Sequence, residues 1–440
     1  MHRSFIIFLA AALLNAVFVP GIQAQAYKAR IEENPERASG EYHYYEYSPS
    51  RRTPAPRGFK PFYISHYGRH GSRYHSSSRY FMPAFAALDT CRAEGLLTDE
   101  GEMLLRQMDT LFGEHQGMFG MLTERGAAEQ RGIGGRMAEL YPEVFKKRKE
   151  VEAVSSYWPR CLVSMANFAS SLQRGSKRLQ IRYLTGPKYL DYISMNLDTD
   201  AVIERSNEFG ARLEAGRVPW ERFFSALFKD PVRARTLIDD PEAFMRSVYD
   251  AGAIGPNTES RPGIFRHFTP DELAGEWILR NDKMYYRYGI SAEEGEYVSA
   301  IAAPLIADIV AKADEAVRPG SRRAADLRFG HDVGLLPLVG VLGIRGMERR
   351  HNSAGVHNHW FAFDMIPMAS NLQLIFCRNR RRDILVKLVY NERETSLPTL
   401  GEGPWYDWRD LRAFLVRTAE KIPGERIVRD SSRKERTGVY

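Results

Sequence analysis

The sequence predicts an α/β fold with an inserted helical domain. The segment Phe62–Tyr67 is aromatic and β-branched, lacks a helical period and runs into a polar loop, and Leu327–Asp332 is a second short strand that ends in polar residues. Between them, from about Pro187 to Tyr288, strand patterns fade and helical segments interrupted by Pro and Gly dominate. The 440 residues also exceed what one hydrophobic core usually supports, so we expect two compact units.

The first 26 residues have the pattern of a signal peptide. Arg3 precedes an apolar run from Phe5 to Pro20, and the A-x-A pattern of Ala24 and Ala26 follows. The run is too short to cross a bilayer comfortably. We therefore expect cleavage near Ala26 and export to the periplasm or the extracellular space; an uncleaved membrane anchor is the alternative.

The other elements follow from local patterns. A polar stretch over 27–57 is expected to lie on the surface. Before the insert, the patterns predict one further strand, Glu152–Tyr157, and helices over Tyr80–Glu94, Asp99–Leu111, Thr123–Leu140 with Thr123 as N-cap, and Cys161–Leu172. The insert includes helical segments at Trp220–Phe228 and Asp271–Asn281. After it, the predicted elements are helices Glu294–Val317, Leu335–Leu342 and Trp408–Ala419, and strands Leu372–Cys377 and Ile384–Tyr390.

These elements suggest a domain organisation in five parts. They are a signal peptide (1–26), the first part of an α/β core (27–186), a helical cap insert (187–290), the second part of the core (291–428) and a charged C-terminal tail (429–440).

Charge and cysteine content exclude some classes of protein. Lys and Arg number 62 against 55 Asp and Glu, a mild excess of +7 that fits a small anionic substrate as readily as nucleic acid. No sustained basic face or nucleic-acid fold signature is present, so we expect no nucleic-acid partner. The three cysteines, Cys91, Cys161 and Cys377, can form at most one disulfide; we expect Cys161 and Cys377 to be small buried side chains.

Two further clusters have an ordinary and a functional interpretation. His357 and His359, with His351 upstream, form the nearest approach to a metal site, but no third ligand has suitable spacing and a loop or strand edge is favoured. Arg378–Arg382 is interpreted as a solvated turn between two strands, with a polyanion site as the alternative. No metal or other cofactor is expected.

The segment Arg69-His70-Gly71-Ser72-Arg73 is the strongest chemical signal in the chain, because it directly follows a predicted strand. Arginine suits phosphate: its planar guanidinium donates two hydrogen bonds to two oxygens and does not lose its charge. Glycine lets the backbone approach a ligand closely. A neutral imidazole among such cations can bind a phosphoryl group or attack it.

This segment resembles the signature of the histidine phosphatase superfamily, in its acid phosphatase and phytase branch. His331-Asp332, after a strand and before a helix, is similar to the late His-Asp pair of that branch, and Arg160 after Ser155–Pro159 is similar to its third arginine. The tail, Asn371–Leu374 with Val386–Glu392, resembles the multiple inositol polyphosphate phosphatases. Two departures stand out: His75 replaces a usual Pro, and His331-Asp332-Val333 replaces the His-Ala-Glu of the inositol polyphosphate branch, so the positional specificity on the ring is left open.

The resemblance implies a phosphoglycerate mutase-like, three-layer α/β/α sandwich with a helical cap. It implies that His70 is the nucleophile that becomes a phosphohistidine and that Asp332 is the proton donor. It further implies that the phosphoryl oxygens are held by Arg69, Arg73, Arg160 and His331. Read without the resemblance, Arg160 could be a surface residue and His331-Asp332 a helix N-cap; His66 and His75 are expected to pack or to lie at the rim.

The substrate expected from this resemblance is phytate or a lower inositol phosphate. A broad-specificity acid phosphatase is the enzymatic alternative. A binding protein without turnover is less compatible with the presence of Asp332, and a mutase-type enzyme is less compatible with the leader and the long insert. We expect no stable membrane insertion, and the sequence does not predict the oligomeric state.

Overall fold

The computed structural model describes residues 26–50, 52–146, 149–174, 176, 178–193, 200–213 and 217–420. The predicted signal peptide, apart from Ala26, and the predicted tail 429–440 lie outside these residues.

An eight-stranded mixed sheet forms the centre of the molecule. Its order is β3-β2-β4-β1-β5-β6-β7, and β8 pairs with β6. The strands are β1 Lys60–Arg69, β2 Glu150–Ser155, β3 Gln180–Thr185, β4 Arg323–Gly330, β5 Asn371–Arg378, β6 Ile384–Tyr390, β7 Arg393–Glu394 and β8 Trp405–Asp407. The first four strands in this order are parallel, and the remaining pairs are antiparallel. The carboxyl ends of β1, β2 and β4 therefore meet at one edge.

The helices lie on both faces of this sheet and in a further layer. They are α1 Ala26–Glu33, α2 Met82–Ala93, α3 Asp99–His115, α4 Glu124–Leu140, α5 Pro142–Phe145, α6 Pro159–Arg174, α7 Leu190–Ile193, α8 Asp200–Arg212, α9 Glu221–Leu227, α10 Pro231–Arg235, α11 Pro241–Ile254, α12 Pro270–Tyr288, α13 Gly295–Val317, α14 Asp332–Leu342, α15 Ala362–Met365 and α16 Trp408–Glu420.

Two apolar clusters cover the two faces of the sheet. Along β1, Tyr63 and Tyr67 point to a cluster with α13, α14 and α16, and Ile64 points to a cluster with α4 and α6. Because both faces are buried, β1 and β4 are nearly continuously buried rather than alternating. The result is the expected three-layer α/β/α core with a helical part beside it.

The helical part has a core of its own. Buried side chains from Phe81 to Leu111 pack in one cluster with those from Phe223 to Ile278, and Ile31, Ala38 and Tyr42 join them. The helical layer therefore draws on α2 and α3 as well as on the stretch 187–290, and the proposed domain boundaries remain a prediction.

Most predicted elements are present with shifted ends. The predicted strand Phe62–Tyr67 lies within β1, and Thr123 caps α4 by accepting a hydrogen bond from the backbone of Gly126. Strand β3 was not predicted. The expectation that 27–57 lies on the surface is wrong for its first half, because this segment contains α1 and buries Ala38 and Tyr42. The physical reason is that the helical layer needs these apolar groups to close its core.

The histidine cluster and the Arg378–Arg382 run lie outside the candidate site. The three cysteines are free and buried. His357 lies in a 3-10 turn and pairs with buried Asp282 through Nδ1 at 2.8 Å, and among the described residues no group of three or more His, Cys, Asp or Glu side chains could hold a metal ion. Arg378–Arg382 forms the turn between β5 and β6, as predicted. No described helix is both long and apolar enough to cross a membrane.

Candidate active site

The three separated segments that carry the candidate residues converge at the carboxyl edge of the parallel strands. Strand β1 ends at Arg69, β4 ends at Gly330 directly before His331, and β2 ends at Ser155 just ahead of Arg160. In parallel strands these ends lie side by side. The structure thus brings together all six predicted site residues, namely Arg69, His70, Arg73, Arg160, His331 and Asp332.

Gly71 is required by close packing. A Cβ at this position would overlap the backbone of Gly126 in α4. The Gly71 N–H donates to Ser164 Oγ at 3.1 Å, so the loop is held between α4 and α6. The loop can pass this close to the helix only with a glycine here. This contact positions the backbone of the neighbouring residue, His70.

His70 has a defined tautomer. Its Nδ1 lies 2.9 Å from the carbonyl oxygen of Gly71, which can only accept, so Nδ1 carries the proton and Nε2 the lone pair. The ring is buried, 5.4 Å from the ring of His331 between centroids. Burial, and after it the charges of Arg160 and Arg69, hold the pKa of His70 well below its ordinary value. His70 is therefore a neutral imidazole with a free lone pair.

Arg69 is fully buried and held by three oxygens. Its Nη1 donates to the carbonyls of Glu41 and Ile366 at 2.6 and 2.7 Å, and its Nη2 lies 2.7 Å from Asp332 Oδ2. An arginine bound on one side by main-chain carbonyls has little freedom to rotate. Its charge is thus fixed between the loop and the proposed acid.

Asp332 is the first residue of α14 and does not act as the N-cap, which is His331. Its Oδ1 accepts a hydrogen bond from the Val333 backbone at 2.9 Å. Burial raises the pKa of Asp332, but the charges of Arg69 and other cations outweigh burial, and the pKa lies below its ordinary value. In the free site, Asp332 is a carboxylate paired with Arg69.

Arg160 and His331 are neighbours. Arg160 Nη2 lies 3.4 Å from His331 Nδ1, and Ser156 Oγ lies 3.1 Å from His331 Nε2. Burial, followed by the charge of Arg160, lowers the pKa of His331 to about 3, and burial lowers that of Arg160 to about 10. Arg160 is thus not the ordinary surface arginine that its sequence position alone allows.

The guanidinium groups of the site have donors left over. The buried Nε atoms of Arg69, Arg73 and Arg160 have no hydrogen-bond acceptor among the described residues. Buried N–H groups in proteins are nearly always paired. An anion with several oxygens would provide hydrogen-bond acceptors for these three donors.

Two residues that the sequence did not single out support the loop. Partly buried Glu129 in α4 accepts hydrogen bonds from Ser72 N and Ser72 Oγ, both at 2.8 Å, and from Tyr45 N at 3.0 Å. Glu41 supplies the carbonyl that holds Arg69. No local pattern distinguishes these glutamates from exposed ones, because their partners lie far away in the chain.

His66 and His75 are packing residues, as expected. The buried His66 ring lies against Phe168 and Phe329, and burial lowers its pKa to about 3. His75, at the place of the usual Pro, is fully buried against Tyr42 and Tyr80. Burial, and after it the charge of the neighbouring site residue Arg73, lowers the pKa of His75.

A cavity of about 370 Å³ leads away from Arg73 and Asp332. Its far wall is formed by α11 and α12, and it carries the cations Arg246, Arg280, Lys283 and Arg287. Acidic side chains line it too: Glu41 and Asp250 pair with Arg280, and Glu276 pairs with Arg246. The cavity therefore extends the site toward the helical layer with a lining of paired charges and the additional cation Lys283.

Comparison with known proteins agrees with this geometry. Residues 252–391, which include His331 and Asp332, match the family model of the histidine phosphatase superfamily (branch 2). Over these residues, the chain is similar to that superfamily. No curated protein matches the chain in sequence.

Solved structures show the same fold over most of this chain. A multiple inositol polyphosphate phosphatase from Bifidobacterium longum, solved with phosphate, is 18% identical and has a TM-score of 0.70, covering 88% of this chain and 99% of its own. A phytase from D. castellii is 13% identical with a TM-score of 0.66, covering 89% and 86%. A Hafnia alvei phytase in complex with myo-inositol hexakis sulphate is 14% identical with a TM-score of 0.52, covering 84% and 100%. The family match over residues 252–391 and the shared fold are both similarities to histidine phosphatases, and they agree with the geometry of the site.

Proposed function

We propose that this phosphatase hydrolyses inositol polyphosphates through a phosphohistidine intermediate. The observation that carries the proposal is the series of cations that extends from Arg73 to the far wall of the cavity, where Lys283 lies beyond the ion pairs of Arg280 and Arg246. One phosphoryl group is served by Arg69, Arg73 and Arg160. Cations beyond that number, on α11 and α12, suit a substrate with several phosphates.

The spacing of the far-wall cations supports a multiply charged substrate. Arg280, Lys283 and Arg287 follow each other at intervals of three and four residues, which places them on one face of α12. Arg246 joins them from α11. Solved relatives of this fold were crystallised with inositol hexasulfate or with phosphate. Both ligands have the tetrahedral oxyanion chemistry that this wall fits.

In the proposed first step, His70 Nε2 attacks the phosphorus, and the bond between phosphorus and the ester oxygen breaks. The leaving alkoxide takes a proton from Asp332, because an unprotonated alkoxide is a poor leaving group. In the second step, a water attacks the phosphohistidine, gives a proton back to Asp332 and releases inorganic phosphate. Each cycle consumes one ester bond and one water and restores both side chains.

Arg69, Arg73, Arg160 and His331 hold the phosphoryl oxygens in this proposal. Their contribution is electrostatic, since charge moves onto the transferred group and the leaving oxygen in the transition state. The unsatisfied Nε donors of the three arginines support this role. His331 contributes through the ring nitrogens that now lie near Arg160 and Ser156.

Asp332 must be protonated when the substrate is bound. Its pKa is lowered in the free site, mainly through Arg69, against the raising effect of burial. A bound phosphate dianion neutralises Arg69 and adds negative charge beside the carboxylate, and both effects raise the pKa of Asp332. We therefore expect an acidic optimum, at which His70 is still neutral because its own pKa is well below the ordinary value.

Export remains part of the proposal. It rests on Arg3, the apolar run Phe5–Pro20 and the small residues before Ala26. Expression of the full chain and mass measurement of the secreted product test it: a mature chain that begins near Ala26 supports cleavage, and retention of Met1 or of the whole leader contradicts it.

The test of the reaction is phosphate release from phytate and from p-nitrophenyl phosphate between pH 3 and 8, with chelator present. His70→Ala should abolish release from both esters, whereas His359→Ala, a half-exposed histidine outside the site, should not change it. Wild type mixed with labelled substrate and quenched in alkali should carry phosphate that is stable to base and labile to acid. Equal rates for wild type and His70→Ala would remove His70 from the mechanism.

The substrate class is tested on the cavity wall. Lys283→Ala should raise KM for phytate about tenfold through the loss of one charge-assisted contact, and leave kcat/KM for p-nitrophenyl phosphate unchanged. Arg233→Ala, an exposed cation elsewhere in the helical layer, is the matched control. Equal loss for both esters, or a strong preference of the wild type for the aryl ester, would favour a broad-specificity acid phosphatase.

A further inference from the structure

The edge of the sheet opposite to the active site is rich in exposed cations. The amino ends of the parallel strands lie here, together with the turn between β5 and β6. The register shows their proximity: Lys60 in β1 lies opposite Arg378 in β5, and Glu150 in β2 lies opposite both Arg323 in β4 and Gln180 in β3. Loops before all these strands therefore form one continuous surface.

We call this surface the basic edge and define it by the exposed cations that make no ion pair with any described residue. They are Arg57, Lys60, Lys146, Arg178, Arg318, Arg380, Arg381 and Arg382. Arg378 adds to this crowding: burial and the nearby charge of Arg382 lower its pKa. Like charges this close repel one another unless an anion lies among them.

The acidic side chains exposed at the basic edge are few. In the described part of these loops and the adjoining helix ends they are Glu143, Glu150, Asp383 and Asp410. Glu150 is paired with Arg322 at 3.4 Å, and Asp383 is bonded within its own turn to Asn379. The edge therefore keeps a clear positive excess.

The cations of the basic edge are spread over a plane. Six strands from β3 to β6 span about 24 Å at the usual strand spacing of about 4.8 Å. Lys146 follows α5 on one face of the sheet, and Arg318 follows α13 on the other, so the cations extend through all three layers. Such a surface fits a planar array of anionic groups better than a single strand of a polymer.

We propose that the basic edge docks the enzyme on an anionic lipid surface, with the active site facing the solution. The active site lies at the opposite ends of the same strands, so docking leaves it accessible to a soluble substrate. Nucleic acid is less compatible, because the cations are spread over a plane and not along a line that one strand could follow. Leu140, 38% exposed at the end of α4, supplies an apolar contact beside the cations.

The expected strength follows from the number of charges. An anionic surface favours each cation close to it by roughly fivefold in binding, so loss of three cations should weaken binding about 100-fold. Salt should weaken it as well, since the charges are exposed.

The experiment is sedimentation of the protein with vesicles of phosphatidylcholine alone or with 30% phosphatidylglycerol, at low and at physiological salt. The test variant is Lys60→Gln/Arg380→Gln/Arg381→Gln. The control variant, Arg106→Gln/Lys229→Gln/Arg266→Gln, removes the same charge from exposed positions of the helical layer. Activity on p-nitrophenyl phosphate reports folding, and both variants should keep it.

The proposal predicts salt-sensitive binding of wild type and control to the anionic vesicles only, with about 100-fold weaker binding of the test variant. Absence of wild-type binding at low salt, or equal binding of the two variants, would overturn it. Tighter wild-type binding to a 30-nucleotide DNA than to the vesicles would assign the edge to nucleic acid instead. None of these outcomes depends on the identity of the phosphate ester that the enzyme hydrolyses.

Discussion

Replacement of Glu129 by Gln should lower turnover more than it lowers substrate affinity. The carboxylate accepts three hydrogen bonds, two from Ser72 and one from Tyr45, and thereby holds the main chain of the loop that carries His70. Gln keeps the shape but has a single acceptor oxygen, and its amino group would face a backbone N–H. A hydrogen bond to a charged group contributes about 1.5–3 kcal/mol.

Part of this loss is offset, because Glu129 is partly buried and burial raises its pKa, so a neutral amide is less costly there than a carboxylate. We therefore expect a loss of unfolding free energy of about 2 kcal/mol. A displaced loop shifts His70 relative to the arginines, and a shift of about 1 Å can cost on the order of 100-fold in rate. The expected result is a fall in kcat of about 10- to 100-fold with KM changed less than threefold.

The assays are initial rates with p-nitrophenyl phosphate at the pH optimum and urea unfolding. Glu139→Gln, an exposed glutamate on the same helix, is the control and should change neither quantity. A variant Glu129→Gln that is less stable yet keeps the wild-type kcat would show that Glu129 stabilises the fold without positioning the nucleophile. An increase in KM alone would likewise contradict the reasoning.

Three further predictions follow from the site and its surroundings. Asp332→Asn should lower kcat for phytate by about 10²- to 10⁴-fold and for p-nitrophenyl phosphate by much less, because nitrophenolate leaves without a proton; equal losses would argue against Asp332 as the acid. Burial raises the pKa of Glu276 from 4.5 to about 7. Between these two pH values the native state binds a proton that the unfolded state has lost, so the free energy of unfolding should fall by roughly 3 kcal/mol as pH rises from 4.5 to 7. Urea unfolding at pH 4.5 and 8 measures this loss, and Glu276→Gln should lack it. Gly71→Ala should cost about 1–3 kcal/mol of unfolding free energy, because the added Cβ would overlap the backbone of Gly126 in α4. The control is Gly135→Ala, also in α4, where an added Cβ meets open space; this variant should be neutral or stabilising. Equal melting temperatures for these two variants would contradict the packing argument.

The parts of the site that the sequence predicts are those encoded within a few residues. Arg69–Arg73 follows β1 directly, and the strand pattern alone places it at a sheet edge. His331-Asp332 and Arg160 follow parallel strands too, so the same rule predicts that the three segments meet. No side-chain contact had to be known for this prediction.

The parts that the sequence does not predict depend on contacts between distant segments. Glu41 reaches Arg69 only because the segment before β1 folds over the sheet edge. The sequence pattern of an amphipathic helix such as α2 or α3 predicts which face is apolar, but it does not predict which other helices cover that face. The packing of α2 and α3 against α9 to α12 could therefore not be inferred. Strand β3 was missed because it is a half-exposed edge strand with Arg182 in its middle, which weakens its apolar pattern.

The electrostatics of the site give the nucleophile and the acid opposite needs, and the fold meets both with the same cations. His70 must be neutral to attack, and burial among Arg160 and Arg69 keeps it neutral even in acid. Asp332 must be protonated to donate, yet Arg69 at 2.7 Å favours its carboxylate in the free site. A phosphate dianion between them changes this balance for the acid by occupying Arg69. The lone pair of His70 stays on Nε2, because the proton on Nδ1 is held by the main-chain carbonyl of Gly71, which does not titrate. Substrate binding itself therefore prepares the proposed proton donor and keeps the tautomer in which the lone pair of His70 is on Nε2.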